Sequence, residues 1–379
     1  MSNKKIVVSA NEHHRNGCPV IANIEPISGM NDGPVILTEP NGQKIFGQYE
    51  LLQDEGELCW VLDDLPAHTT RTYQLSQPDS SITPAGVSFT EKDQTIVVDI
   101  DDRHFTTFRY DTNQYRPYFF PVLGPNGCQV TRGEVSHESK DHVHHRSLYV
   151  AYGEVNHSDL WSEGHQAGRI VHKSFSQKLE GVVCGKIYTR NSWHDKDGIP
   201  IMSDIQNYRL YALPAGRSII DLDLTFLADQ GDVFFGDTKE GGIITVRVNP
   251  QMNASNPNGK IENSFGGINE DETWGKKAHW CDYSGIVDGV PVGVSLFDHL
   301  SNPRYPTYWH VRNYGLMGSN IFGGGTFESD ERNDGSYTLH KGQEMNFRFR
   351  VYIHYGDANE GKVGQHYHDF INPPSVVIE

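Results

Sequence analysis

Three absences narrow this 379-residue sequence before any motif is read. No apolar run approaches the ~20 residues that a membrane-spanning helix needs, and mean hydropathy is −0.55. Residues 1–10 begin basic but hold too short an apolar stretch for the core of a signal peptide, so a cytoplasmic location and no membrane partner are expected. Positive charge is scarce: 32 Lys and Arg against 49 Asp and Glu give a formal net charge of −17. Such a surface repels phosphate backbones, and nucleic acid is not an expected partner. Cysteine is sparse and unpatterned. Cys18, Cys59, Cys128, Cys184 and Cys281 are odd in number and form no CxxC, which argues against a zinc ribbon, a redox motif or a disulfide framework. Reduced, mostly buried thiols are expected.

What the sequence does have is turn formers, aromatics and histidine: 38 Gly, 19 Pro, 18 Tyr and 19 His. Period-two alternation runs through it. Ile220, Leu222, Leu224 and Phe226 oppose Asp221, Asp223 and Thr225; Met345, Phe347, Phe349, Val351 and Ile353 oppose Asn346, Arg348, Arg350 and Tyr352. Half-buried strands of antiparallel sheets read this way. Short turns at residues 195–198, 214–217 and 287–289 separate successive strands as in a meander. Further strands are expected at residues 6–9, 20–24, 35–38, 47–52, 58–62 and 71–74, a polar break at 76–81, a new strand series from 94, and one short helix near 363–370. The expectation is an all-β chain, a large antiparallel β-sandwich with very little helix. An N-terminal β-rich module spans 1–90, and the main sandwich, carrying the site, spans 91–379.

Three segments hold more polar chemistry than a sheet requires. Around Arg132, Gly133 and Glu134, the run Asp141-His142-Val143-His144-His145-Arg146-Ser147 crowds three imidazoles and an arginine together. That clustering is costly unless a ligand uses it. On a strand, His142 and His144 would point one way and His145 the other. The HxHH spacing lacks the form of HExxH or a zinc finger, so a polar organic ligand is favoured over a metal; no cofactor is expected, with metal the weaker alternative. Thr238-Lys239-Glu240-Gly241 precedes Arg247 on one strand; a glutamate beside arginine can serve as a base, while a turn with a solvated Lys–Glu pair is the plainer reading of the segment alone. The densest segment joins Trp274, Trp280, Asp282 and Tyr283 to Asp298, His299, Arg304, Tyr308, Trp309, His310, Arg312 and Tyr314. Aromatic faces stack on sugar rings while Asp, His and Arg bond hydroxyls. Alternation there sets Trp309 and Val311 against His310 and Arg312.

Together these segments resemble a bacterial β-rich family catalogued as "methane oxygenase PmoA" or as a domain of unknown function. Carrying the resemblance are Arg116-Pro117-Tyr118-Phe119, His144-His145-Arg146, Lys239-Glu240-Gly241, Asn263-Ser264, Trp280-Cys281-Asp282-Tyr283-Ser284-Gly285, Phe297-Asp298-His299, Asn302-Pro303-Arg304 and the run from Thr307 to Gly315, over roughly residues 100–370. Ser147 stands where the resemblance leads one to expect Gly, and Asn313 where it leads one to expect Asp. Membrane-spanning helices belong to a methane monooxygenase subunit and find no counterpart here, so methane oxidation is set aside. The resemblance implies sugar catabolism beside oxidoreductases of the Gfo/Idh/MocA type, and a fold similar to the galactose mutarotase-like supersandwich, an analogy at fold level only.

The expected function is that of a carbohydrate-active enzyme working by acid/base proton transfer on a sugar or (keto)glycoside, as lyase, hydratase or glycoside hydrolase. Glu240 or Asp282 would be the base and His145 or His310 the acid. Arg146, Arg247 and Arg312 would clamp substrate and oxyanion, and His144, Trp280, Tyr283, Asp298, His299, Arg304 and Trp309 would line the sugar site. Two alternatives stand beside it: a non-catalytic carbohydrate-binding protein, and a metal-dependent sugar isomerase or oxygenase using His142, His144 and His299.

Overall fold

The computed structural model describes residues 4–52, 55–78, 84–133, 141–214 and 216–379, the side chain of residue 331 excepted; Glu134 and part of the 76–81 break lie outside them. Strand makes up 52% and helix 8% of the structure, an all-β, sandwich-like fold. The longest helix, Val363–Ile371, falls where the sequence places it. No helix among the described residues is long and apolar enough to cross a membrane.

Two eight-stranded antiparallel sheets pack face to face. The first runs in the order Tyr308–Arg312, Leu316–Asn320, Gly241–Arg247, Leu148–Tyr152, Tyr118–Val122, Arg103–Arg109, Thr95–Ile100, Val87–Lys92. The second is ordered Arg169–Leu179, Cys184–His194, Pro200–Tyr211, Ser218–Leu227, Glu344–Tyr355, Val290–Asp298, Trp280–Val287, Lys260–Asn263. Alternation decides which side chains fill the core. On the first sheet the inward row includes Phe108, Phe119, Leu148, Val246, Met317 and Val311, and Phe119 meets Tyr208 of the second sheet with ring centroids 4.8 Å apart. The outward row of the same strands reads Tyr118, Tyr149, Thr245, Gly318, His310.

A seven-stranded sheet built from the segment between Lys5 and Ser76 closes with the last strand, Ser375–Ile378. Chain direction thus returns to the N-terminal sheet at its end, and Val87–Lys92 already belongs to the sandwich, so the change of sheet falls between Ser76 and Val87 rather than at a single cut near 90. This sheet leans on the outer face of the second eight-stranded sheet through Cys59, Val183, Cys184, Tyr211, Phe297, Tyr352 and Phe370. Charge is buried at the same contact: the Lys186 ammonium, fully buried, reaches Glu50 at 2.7 Å and Glu57 at 2.8 Å, and Arg209 joins Glu57 at 2.8 Å. All five cysteines are free and buried.

Candidate functional site

The outward face of the first sheet becomes a site because loops cover it. Residues 141–147 form turns and not a strand. Two buried arginines fold them: Arg132 donates to the carbonyls of His142 (2.6 Å) and His145 (3.0 Å), and Arg116 to that of His144 (2.8 Å). Backbone of His145 also donates to the His142 carbonyl at 3.1 Å. The three rings therefore converge. His142 stacks on His145 at 4.7 Å and on Tyr314 at 5.1 Å, and His144 stands edge-on to His145 at 4.3 Å.

Trp161 is the hub beneath them. Its ring lies 5.4 Å from Tyr149, 5.6 Å from His145, 6.1 Å from His144 and 6.4 Å from His310. Tyr149 and His310 share the outward row, with only Thr245 and Gly318 between them. A Cβ on Gly318 would fall 2.8 Å from Thr245 Oγ1, so the sheet surface there stays low. The Asp159 carboxylate fixes the indole's segment by accepting from the backbone of Trp161 and Ser162 at 2.8 and 2.9 Å.

Glu240 enters at the lip of the strand Gly241–Arg247. Its backbone runs so close to Gly153 that a Cβ there would stand 2.0 Å from the Glu240 carbonyl. Asn320 holds the turn by donating to the Thr238 carbonyl at 2.8 Å. The half-exposed carboxylate pairs with Lys239. Partial burial would raise its pKa, but Lys239, His310 and His144 outweigh that and leave it below the usual value. That Lys–Glu pair in a turn is the plainer of the two sequence readings, and Arg247 is turned elsewhere: one guanidinium nitrogen donates to His145 Nδ1 at 2.9 Å and another to Asp141 at 3.2 Å. Arg312 pairs with Glu270 at 2.7 Å and lies beside the Tyr314 ring, as does Arg247, at 5.9 and 4.8 Å.

Burial, reinforced by neighbouring cations, lowers every imidazole in the group: His310 and His144 to about 4, His145 well below 6.5, His142 less strongly. They are neutral at pH 7. That corrects the role expected for His145 and His310, because a general acid must hold the proton it gives. The Arg247 contact says more. Arginine only donates, so His145 Nδ1 accepts and the ring proton sits on Nε2. His145 is a fixed neutral donor. His310 faces the Gly241 backbone with one nitrogen, and its Nδ1 is buried with no partner among the described residues.

The ring nitrogens of His142, His144 and His145 lie within 4.8 Å of one another, a spacing a metal can use. The donor set fits poorly. His145 has no second lone pair while Arg247 donates to it, and the charges of Arg247, Arg132 and Arg116 bear on the same rings. We therefore route no chemistry through a metal.

Of the remaining expected residues, Arg146 stands at the flank, bound to Glu163 through two contacts of 2.8 and 2.6 Å. Tyr283 is scaffolding: its hydroxyl donates to the Asn313 carbonyl at 2.8 Å, fastening the turn after Arg312. Asn313 Oδ1 in turn accepts from the backbone of Glu270 at 3.1 Å, a task aspartate would also perform. Trp309 is core, its indole donating to the Ala278 carbonyl. Others lie elsewhere. Cys281 and Tyr283 face the sandwich core, so alternation turns Trp280 and Asp282 to the opposite face of the second sheet, away from the histidines. There Asp282 is fully buried, accepting from Ser295 at 2.6 Å with His354 Nε2 at 2.8 Å, and Trp280 packs toward the N-terminal sheet. Asp298 clips a loop, accepting from Asn302 and from the backbone of Thr307; burial pushes it up to about 7 against those bonds. His299 rests on Phe370 at 5.0 Å, outside the three-histidine group. Arg304 donates to backbone carbonyls of Ile321, Gly335 and Ser336.

Sequence reasoning passed over Trp161, Tyr149 and Ser147 as site residues. Trp161 had a signal: a tryptophan in the polar, non-alternating stretch Asp159-Leu160-Trp161-Ser162-Glu163. Ser147 takes φ of 66°, the left-handed region, which explains the expectation of glycine at that place.

Compared with known proteins, residues 95–368 match the family described as "Family of unknown function (DUF6807)"; that description carries no methane-oxygenase label. No curated protein matches the chain. Among solved structures, an alpha-mannosidase from Enterococcus faecalis V583 is similar at 9% identity and a TM-score of 0.44, over 100% of this chain and 46% of that one. A protein in the glycosyl hydrolase family 38 from Enterococcus faecalis is similar at 7% identity and 0.42, over 100% and 47%. The chain spans under half the length of either.

Proposed function

The chain belongs to the DUF6807 family of unknown function, and from that premise we propose that it is a carbohydrate-active enzyme that moves a proton on a sugar or keto-glycoside. One observation carries the reading: an ionised carboxylate, Glu240, lies within electrostatic reach of the rings of His310, His144 and His142, and His145 packs against His144 at 4.3 Å. Glu240 takes the proton from the carbon beside a ring carbonyl. The electron pair moves onto the carbonyl oxygen, where His145 Nε2–H donates to the developing oxyanion, held in that tautomer by Arg247. The bond to the leaving oxygen then breaks, and the protonated Glu240 returns the proton to it. An enone and a free alcohol result. Run backwards with water in place of the alcohol, the same groups hydrate the enone.

Two-carboxylate hydrolysis has less support. It would pair Glu240 with Asp282 or Asp298 across the scissile bond, and Asp282 faces away from the core on the other sheet while Asp298 is committed to its loop. The test is incubation of the purified protein with glycosides and 3-keto-glycosides while following enone absorbance and released alcohol. Both should appear together. Ligand-induced stabilisation without turnover would make this a binding protein instead, and neither signal with any of the sugars would overturn the carbohydrate reading.

A further inference from the structure

Resting on the carbohydrate reading of this site, we propose that Ser147, Tyr149 and Trp161 form a subsite for the free hydroxyls of a neutral sugar, and that Ser147 sets which hydroxyl pattern is accepted. Ser147 Oγ, Tyr149 OH and Trp161 Nε1 are each buried with no hydrogen-bond partner among the described residues, and each residue is about 1% exposed. Buried polar atoms are ordinarily satisfied, so three unsatisfied ones in adjoining residues mark a place where something else bonds. The two rings are neighbours at 5.4 Å. Ser147 lies between His145 and Tyr149 in the chain, anchored where the Arg247 backbone donates to its carbonyl at 2.7 Å.

Ser147 is the sharpest case. A side chain at φ 66° is strained, because in that region Cβ crowds the following carbonyl. Glycine would remove both the strain and the unsatisfied hydroxyl. A serine that neither relaxes the backbone nor bonds to any of the described residues has a use outside the folding of this chain.

The chemistry of the three groups selects the ligand class. Trp161 only donates, while Ser147 and Tyr149 donate or accept. Burial pushes the Tyr149 phenol up, so it stays protonated, and the adjoining imidazoles are neutral. Uncharged donors and acceptors of this kind match adjacent sugar hydroxyls, each of which gives one proton and accepts another.

The test uses Ser147→Gly and Ser147→Ala, with methyl glucoside, methyl mannoside, methyl galactoside and their 3-keto derivatives as probes. Ser147→Gly releases the strain and Ser147→Ala keeps it; both lose the hydroxyl. Without ligand, Ser147→Gly should melt no lower than the wild type and up to about 3 °C higher. Both variants should bind or turn over the preferred probe with KM or Kd about tenfold weaker, kcat nearly unchanged, and an altered order among the epimers. If both variants match the wild type in affinity and in that order, the subsite is overturned while the reaction at Glu240 stands. If no probe stabilises or is converted by the wild type, the carbohydrate reading falls and the subsite with it.

Discussion

Arg247 donates to His145 Nδ1 at 2.9 Å, and this contact settles which nitrogen of the imidazole carries its proton. The same guanidinium holds Asp141, so the charge behind the histidine is fixed on two sides. A neutral imidazole with its N–H turned outward can stabilise an oxyanion without giving up a proton. The mechanism therefore predicts consequences at Arg247 as well as at the residues nearer the sugar.

Arg247→Lys keeps the charge and loses the fork that reaches both His145 and Asp141. We expect kcat to fall about a hundredfold with KM changed far less, and the His145 ring to become a mixture of tautomers. Nitrogen NMR of labelled histidine reads the tautomer directly. A variant of normal rate with His145 still locked would refute the role.

Glu240→Gln tests the base. Turnover should drop by ~10²–10⁴, while sugar binding persists and stability stays within about 0.5 kcal/mol, since the residue is half exposed at the lip of its strand. Retained turnover would assign the proton abstraction to another group.

The pH profile follows from the same shifts. A base works when deprotonated, and Glu240 lies below its ordinary value of 4.5, so the acid limb of kcat/KM should fall below that pH. The histidines are already neutral well under 6.5, so no limb should cross that value. A rate that fell as pH rose through 6.5 would mean that a protonated imidazole takes part.

Much of the fold was legible and only part of the site. Alternation at 218–226 and 345–353 reported real strands, and Asp288-Gly289 a real hairpin turn, both at positive φ. Alternation also placed His310 and Arg312 opposite Trp309 correctly. At 141–147 it leaves strand and polar loop both open, and the loop forms because Arg132 and Arg116 bend the chain through carbonyl contacts that leave no local signature. Density of polar and aromatic residues misled at Asp282, Asp298, His299 and Arg304, because buried carboxylates and guanidinia also secure loops and sheet contacts. Nothing local in the sequence marks Tyr149, whose neighbours arrive from Arg116, Trp161 and the adjoining strands.

The contact between the N-terminal sheet and the sandwich gives a stability prediction. Lys186→Ala leaves Glu50 and Glu57 buried with one cation fewer, which should cost ~3–5 kcal/mol, measured by urea unfolding. Burial raises Glu57, but Arg209 and Lys186 together hold it below 4.5 in the wild type. Its contribution is therefore complete above the unfolded-chain value and fades as pH drops through the lower folded one. Acid unfolding of Lys186→Ala should begin at higher pH than in the wild type; an unchanged acid midpoint would assign the stability to apolar packing.

Proton NMR of a 3-keto-glycoside in deuterated buffer tests proton transfer by Glu240 most directly. The wild type should wash deuterium into the carbon beside the carbonyl faster than buffer does, ahead of or together with release of the alcohol, and Glu240→Gln should not. Exchange at the buffer rate with the wild type, or equal exchange in both proteins, would contradict the account.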